Sequence, residues 1–161
     1  MSLRIHRDLI EQIRAHGAET YDEECCGILI GREDHMAGQV PDDILVSVIE
    51  ARRIANSKEG ERQRRFIIDP LEILAIEDEL EGSDRRIVGY YHSHPDHPAK
   101  PSEFDRQHAW PGLSYLILAV EKGEPKALTS WRLSEDRTEF RLEPVHAMPA
   151  TKPRTADPRT S

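Results

Sequence analysis

Residues 86–105 read RIVGYYHSHPDHPAKPSEFD, and their first half has the composition of a β-strand that ends in two histidines. β-Branched and aromatic side chains dominate residues 86–91, as is typical of strands. Alternate residues of a strand point to the same face, so His92 and His94 are expected to project together from the end of this strand.

The second half of the same stretch predicts a short helix that begins close to these histidines. A proline followed by a serine at residues 101–102 is typical of a helix start, and the prolines between residues 95 and 101 rule out a continuous helix. Residues three apart share a helix face, so Ser102 and Asp105 project together. Two imidazoles and one carboxylate can therefore converge and leave a fourth tetrahedral position open, which is the ligand arrangement of a catalytic zinc site.

Each of these features also has a simpler interpretation when it is taken alone. An isolated His-x-His pair fits two surface histidines in a proline-rich loop, and Asp105 in a first helical turn favours the helix dipole. Ser102 with an acid three residues later fits an N-cap with a capping-box partner, a role that can coexist with a catalytic one. Two further histidines, His97 and His108, fit outer or surface positions, because three protein ligands already complete a catalytic zinc site.

The combined spacing resembles the motif of a known family. His92-x-His94-x7-Ser102-x-x-Asp105 is similar to the motif of the JAMM (MPN-plus) zinc metallopeptidases. Residues 65–70, RFIIDP, and 110–115, WPGLSY, are similar to segments of the short bacterial members. A motif in its expected strand and helix context is a much stronger signal than the His-x-His pair alone.

A second segment, residues 24–31, extends the resemblance. It reads ECCGILIG and matches the E-x-C-G-x-L-x-G pattern of the family in a register that selects Glu24 rather than Glu23. Without this context, Glu24 would be interpreted as an exposed acid before a strand. Its fixed distance from the two glycines favours a functional role.

The resemblance implies a fold and a role for each of these residues. The fold would be of the α/β class, a cytidine-deaminase-like sandwich whose central mixed and curved sheet is flanked by helices. His92, His94 and Asp105 would hold Zn²⁺. Glu24 would act as general base and then as general acid, passing a proton from water to the leaving amine, and Ser102 would donate to the oxyanion.

The resemblance also implies a substrate class. A peptide or isopeptide bond would be hydrolysed at the C-terminus of a ubiquitin-like or sulfur-carrier protein. The alternative is a non-catalytic MPN-type scaffold that only binds partners, but such scaffolds lose ligands from the motif and this chain keeps all of them. A zinc nucleoside deaminase would need H-x-E followed by P-C-x-x-C, and the sequence contains neither.

Hydrophobic patterning predicts one domain over residues 1–145, followed by a tail. Strands outnumber helices in an irregular order, with helices at 6–16, 70–81 and 102–109 and strands at 25–30, 44–54, 66–68, 86–94, 113–120, 127–133 and 140–145. Residues 146–161 place three prolines among Thr, Arg and Ala, and this composition predicts a disordered C-terminal tail.

Composition limits the environment and the partners. The formal net charge of −8 argues against non-specific binding to nucleic acid, and no apolar run approaches the length of a membrane span or a signal segment. We therefore expect a cytoplasmic protein. The adjacent Cys25 and Cys26 cannot form an ordinary structural disulfide and fit a reducing compartment. Residues 52–65 carry six basic and two acidic side chains, which indicates a solvated loop or a docking surface for an acidic partner.

Overall fold

The computed structural model describes residues 1–35, 44–56 and 68–149 of the chain. Within these ranges it contains eight strands and three helices, in the order β1 (Ser2–His6), α1 (Arg7–Thr20), β2 (Cys26–His35), β3 (Ile44–Ile54), α2 (Pro70–Leu80), β4 (Arg86–Pro95), α3 (Glu103–His108), β5 (Ser114–Glu121), β6 (Glu124–Leu133), β7 (Phe140–Glu143) and β8 (Val145–Met148). The predicted strand at 66–68 falls largely on residues outside these ranges.

All eight strands form one mixed sheet with the order β7-β6-β5-β4-β2-β3-β1-β8. Strand β4, which carries the two histidines, pairs in parallel with β5 and antiparallel with β2, so it lies inside the sheet. An interior strand is held by hydrogen bonds on both sides, and side chains at its end are therefore placed by a rigid frame.

The two faces of the sheet are covered by different helices. Leu9 and Ile13 of α1 belong to a buried cluster with Leu29, Val88 and other side chains of one face. Ile76 of α2 belongs to a second cluster on the opposite face, together with Cys26, Ile28 and Ile30 of β2. Neighbouring residues of a strand point to opposite faces, so β2 contributes side chains to both clusters. The expected α/β sandwich, with a mixed sheet between helices, is confirmed.

The predicted starts of α2 and α3 are confirmed by their caps. Asp69 precedes α2, and its side chain accepts a hydrogen bond of 2.9 Å from the backbone N–H of Leu71, while Pro70 occupies the first helical position. Ser102 is the N-cap of α3. A side-chain acceptor satisfies one of the free N–H groups at a helix start, and proline has no N–H to leave unsatisfied there.

The N-terminal region differs from its prediction in two ways. Residues Ser2–His6 form β1, whose buried Leu3 and Ile5 are too few to reveal a strand in the sequence. The predicted helix at 6–16 instead runs from Arg7 to Thr20. Gly17 lies inside this helix, and a Cβ atom at this position would come within 2.6 Å of Leu118 Cδ2. Glycine here allows close approach of α1 to β5.

The C-terminal end of the sheet also differs from its prediction. The predicted tail begins at residue 146, whereas residues Val145–Met148 form β8 and pair in parallel with β1. β7 pairs with β6 at the other edge of the sheet, and only Pro144 separates it from β8. β7 and β8 are the two edge strands of the sheet, and a single residue joins them. The two edges therefore lie close together, and the curved sheet is nearly closed. The remainder of the predicted tail, residues 150–161, lies outside the described ranges.

Candidate metal centre

The end of β4 presents two histidine side chains to one buried point. His92 is 1% exposed and His94 is 6% exposed. Their Nε2 atoms lie 3.1 Å apart, as expected for strand residues two positions apart on the same face. The predicted convergence of the two imidazoles is therefore present in the structure.

Asp105 reaches the same point from the first turn of α3. Its Oδ1 atom lies 3.3 Å from His92 Nε2, and its Oδ2 atom lies 3.3 Å from His94 Nε2. The three side chains form a group with metal-ligating atoms within 4.8 Å of one another. Tetrahedral zinc with bonds of about 2.0–2.2 Å separates its ligand atoms by about 3.3 Å, so the donor set and its spacing fit this ion.

The carboxylate of Asp105 is oriented by the start of its own helix. The backbone N–H of Ser102 donates to Asp105 Oδ2 at 2.8 Å, and the backbone N–H of Asp105 donates to Ser102 Oγ at 3.1 Å. This reciprocal pair is a capping box. The capping role expected for Ser102 is thus present, and the same contacts hold a candidate metal ligand in place.

The tautomer of His94 is set by a hydrogen bond on its far side. Its Nδ1 atom lies 2.9 Å from the backbone carbonyl oxygen of Pro98. A carbonyl can only accept, so Nδ1 carries a proton, and in the neutral imidazole Nε2 then has the lone pair that a metal ion would need. The proline-rich connection between β4 and α3 therefore contributes to the site through its backbone.

The charges of this group are strongly coupled. Burial lowers the pKa of His92 because it favours the neutral imidazole. Burial is the largest single effect on His94 and opposes its charge, but the hydrogen bond and charge of Asp105, with smaller contributions from the Pro98 carbonyl and the charge of Glu24, together raise the pKa of His94. Burial alone would raise the pKa of Asp105, yet its contacts with His92, followed by those with His94 and the backbone N–H of Ser102, hold it well below its usual range. A carboxylate facing two imidazoles is a suitable environment for a divalent cation.

Glu24 lies beside this group, at the end of the segment that precedes β2. Its carboxylate is 4% exposed, and its Oε1 atom is 3.9 Å from His94 Nε2. Cys26 pairs with His92, and the backbone N–H of Ser93 donates to the carbonyl oxygen of Cys25 at 3.2 Å, so the same antiparallel register brings Glu24 level with His94 just before β2 begins. Glu23, the other candidate of the sequence register, is exposed. The geometry thus favours Glu24 as the acid or base of this site.

Two further side chains, which no sequence pattern had indicated, hold the peptide unit that follows Glu24. Asn56 Nδ2 donates to the carbonyl oxygen of Glu24 at 3.2 Å. Ser93 Oγ accepts from the backbone N–H of Cys25 at 2.8 Å. Ser93 stands between the two histidines, so strand alternation directs it away from them. The position of Ser93 between the two histidines could therefore have indicated that it supports the site from the opposite face of the strand.

The two other histidines of the motif region are exposed. His97 is exposed, and the exposed His108 directs its Nδ1 atom toward the carbonyl oxygen of Phe104 at 2.8 Å.

Burial raises the pKa of Cys25 to about 11 and that of Cys26 to about 12, so both thiols stay protonated near neutral pH. These thiols pack in the hydrophobic clusters on opposite faces of the sheet.

The mixed sheet, its flanking helices and the grouped His-x-His and aspartate define a protein of the JAB type. The chain matches the family of prokaryotic homologs of the JAB domain over residues 6–134, and it belongs to this family. The resemblance to the JAMM group seen in the sequence is thereby confirmed.

Similar proteins share most of their length with this chain. A protein called desampylase from Haloferax volcanii is 30% identical over 114 residues, which is 70% of this chain and 74% of the relative. A desampylase from Pyrococcus furiosus is 32% identical over 114 residues, covering 70% and 68% respectively.

Two solved structures have the same fold. A solution structure of a Desulfitobacterium hafniense protein has a TM-score of 0.73 and 27% identity, and it covers 91% of this chain and 93% of its own. A solution structure of a Salinibacter ruber protein has a TM-score of 0.64 and 37% identity, with coverage of 93% and 94%. Among the described residues, no helix combines the length and apolar character needed to cross a membrane.

Proposed function

We propose that this chain is a zinc-dependent hydrolase that cleaves a peptide or isopeptide bond at the C-terminus of a ubiquitin-like or sulfur-carrier protein. The observation that carries the proposal is the convergence of His92, His94 and Asp105, with the Glu24 carboxylate beside them. The relatives named desampylase support a hydrolase that acts on ubiquitin-like conjugates.

In this proposal each side chain has a separate task. His92, His94 and Asp105 hold Zn²⁺, which when bound supplies Lewis acidity that polarises the scissile carbonyl and acidifies water. The Glu24 carboxylate accepts a proton from the attacking water and returns it to the leaving amine. Its burial next to His94 keeps it close to the reacting atoms and away from bulk solvent.

The Ser102 hydroxyl is proposed to donate to the oxyanion that forms on the scissile carbonyl. Its oxygen already accepts the N–H of Asp105, and an accepting hydroxyl retains its own proton for donation. The capping role and the catalytic role are therefore chemically compatible. This arrangement favours a hydrolase over the non-catalytic scaffold, because a scaffold that only binds partners would not need three grouped metal ligands at the end of β4.

Two arginines at the start of the basic segment are already paired with carboxylates of this chain. Arg52 forms ion pairs with Glu50 and Glu79, and Arg53 pairs with Glu19. These two arginines are thus already matched by carboxylates of the same chain. Most of residues 52–65 lie outside the described ranges, so a docking role for them stays a prediction. The cytoplasmic location and the lack of nucleic-acid partners also stay predictions.

The proposal is tested by incubating zinc-loaded protein with ubiquitin-like carriers that have a C-terminal extension, and by reading the products as intact masses. We expect about one zinc per chain and loss of the extension. Glu24→Gln should keep the zinc and lower turnover by roughly 10²- to 10⁴-fold, because the amide cannot accept the water proton. Glu23→Gln is the matched control and should remain active. Full activity of Glu24→Gln would contradict the proposal.

A further inference from the structure

A pocket of about 200 Å³ adjoins the candidate metal centre. His92 and Asp105 form the end of the pocket nearest the centre. The other walls are mostly apolar or aromatic and come from α2, β4, α3 and β5 and from the segments beside them: Ile68, Ile73, Tyr90, Phe104, His108, Trp110 and Tyr115. An apolar cavity of about 150 Å³ accepts a benzene ring, so this pocket has room for one aromatic or large aliphatic side chain.

The rim of the pocket is held in place before any ligand binds. Trp110 is 62% exposed, although an indole gains much from burial. Its backbone N–H donates to the Tyr115 hydroxyl at 2.8 Å, and the Arg137 guanidinium carbon lies 4.7 Å from its ring centroid. Arg137 also donates to the carbonyl oxygen of Ala109 at 3.0 Å. An exposed, preorganised tryptophan beside a pocket is typical of a binding hot spot.

The pocket and Glu24 lie on opposite sides of the metal centre along β4. Tyr90, His92 and His94 follow one another at alternate positions of this strand, and Glu24 is level with His94. At about 3.3 Å per residue, Tyr90 and His94 are separated by about 13 Å. A general acid must lie within hydrogen-bond reach of the leaving amine. The leaving group therefore belongs on the Glu24 side, and the acyl chain belongs on the Tyr90 side.

We propose that this aromatic pocket is a specificity subsite that binds an aromatic or large aliphatic side chain from the last few residues on the acyl side of the scissile bond. The assignment of the acyl side rests on the proposed function, because it uses Glu24 as the proton donor. Carriers whose tail has such a residue close to the cleaved bond are then preferred over carriers whose tail has only small residues there.

Binding can be measured without turnover. The chain has two tryptophans, so Trp131→Phe leaves Trp110 as the sole indole reporter. The zinc-loaded full-length variant is titrated with product-like tetrapeptide acids in which each of the three residues nearest the C-terminus is, in turn, Phe or Ala. We expect one Phe peptide to bind at least tenfold more tightly than its Ala partner, as the burial of an aromatic side chain predicts, and to change the Trp110 emission.

A pair of neighbouring substitutions on α2 separates the pocket from general effects. Ile73→Phe places a ring in the pocket and should remove the preference for the Phe peptide while leaving the weaker binding of the Ala peptide. Leu74→Phe adds the same ring at the next residue, which is 53% exposed and does not line the pocket. It should retain the preference.

The outcomes distinguish this proposal from the proposed function. Equal affinity for Phe and Ala peptides at all three positions would overturn the subsite, and so would a preference that survives Ile73→Phe. If carriers are cleaved without any such preference, the proposed hydrolase function stands and the subsite proposal is wrong. If the zinc-loaded chain binds the acid peptides selectively but cleaves no carrier, the subsite proposal stands and the proposed hydrolase function is wrong.

Discussion

The hydroxyl oxygen of Ser93 accepts a hydrogen bond of 2.8 Å from the backbone N–H of Cys25, the residue that follows Glu24. The carbonyl of the same peptide unit is held by Asn56. The serine between the two histidines therefore faces away from them and still acts on the site, because it fixes the backbone from which the Glu24 carboxylate extends. Ser93 is completely buried, so this contact is shielded from water.

Ser93→Ala should lower kcat by up to about 10²-fold while leaving zinc content unchanged, because a small displacement of a catalytic group is costly and the metal ligands are untouched. Ser93→Thr keeps the hydroxyl and should restore most of the activity. Steady-state kinetics with metal analysis of both variants checks this. Equal kcat for wild type and Ser93→Ala would show that β2 places Glu24 without help from the serine.

Ser102→Ala separates the capping role from the catalytic role. Loss of the cap should lower the free energy of unfolding by about 1 kcal/mol. Loss of an oxyanion donor should lower turnover by roughly 10²-fold or more with little change in metal content. Urea unfolding and kinetics are measured on the same preparation. A variant that is less stable but turns over normally leaves Ser102 only as the N-cap.

His16 should make the stability of the fold depend on pH. Its Nδ1 atom lies 2.7 Å from the Tyr91 hydroxyl, and burial, with a smaller contribution from the charge of Arg53, lowers its pKa from 6.5 to about 4. Between these values the unfolded chain binds the proton and the folded chain does not. Stability is therefore lost as pH falls from 6.5 toward 4, by an amount on the order of 2 kcal/mol.

The variant His16→Gln isolates this contribution, because glutamine can bond to the tyrosine hydroxyl but does not titrate. Urea unfolding of both proteins at pH 7 and at pH 4.5 gives the comparison. The wild type should lose more stability between the two values than the variant does. Identical losses would mean that other groups, such as the buried histidines of β4, account for the whole pH dependence.

Two truncations should have different effects. A chain that ends after residue 149 retains β8, and we expect its unfolding midpoint to be nearly unchanged, since residues 150–161 contain few apolar side chains. A chain that ends after Pro144 loses the strand that pairs with β1, together with the packing of Val145 on the core. It should be less stable by at least about 2 kcal/mol. Equal midpoints for the two chains would contradict the importance of β8.

The local parts of the site were predictable because each depends on a short period in the sequence. Two-residue strand alternation brings His92 and His94 together, and three-residue helical spacing joins Ser102 to Asp105. Glu24 is far away in the sequence, and only the family-like segment around it connected it to the histidines. The structure shows it beside His94.

The parts that were missed depend on contacts between distant segments. The bond from Cys25 to Ser93 and the bond from Asn56 to Glu24 have no sequence signature, because serine and asparagine are ordinary at such positions. The pocket needs Ile73, Phe104 and Tyr115 from three different elements. The parallel pairing of β1 with β8 brings the ends of the domain together, and two short strands give too weak a pattern to reveal it.

The pairing of Leu3 with Val145 has a consequence for biosynthesis. The first strand leaves the ribosome long before its outer partner has been translated, so its backbone on that side stays available to water or to other chains for most of synthesis. The histidines and Asp105 are complete much earlier than the strand that closes the sheet. Folding should therefore finish only after the last strand has been released, and long-range closure of this kind makes folding slow relative to helical proteins of similar size.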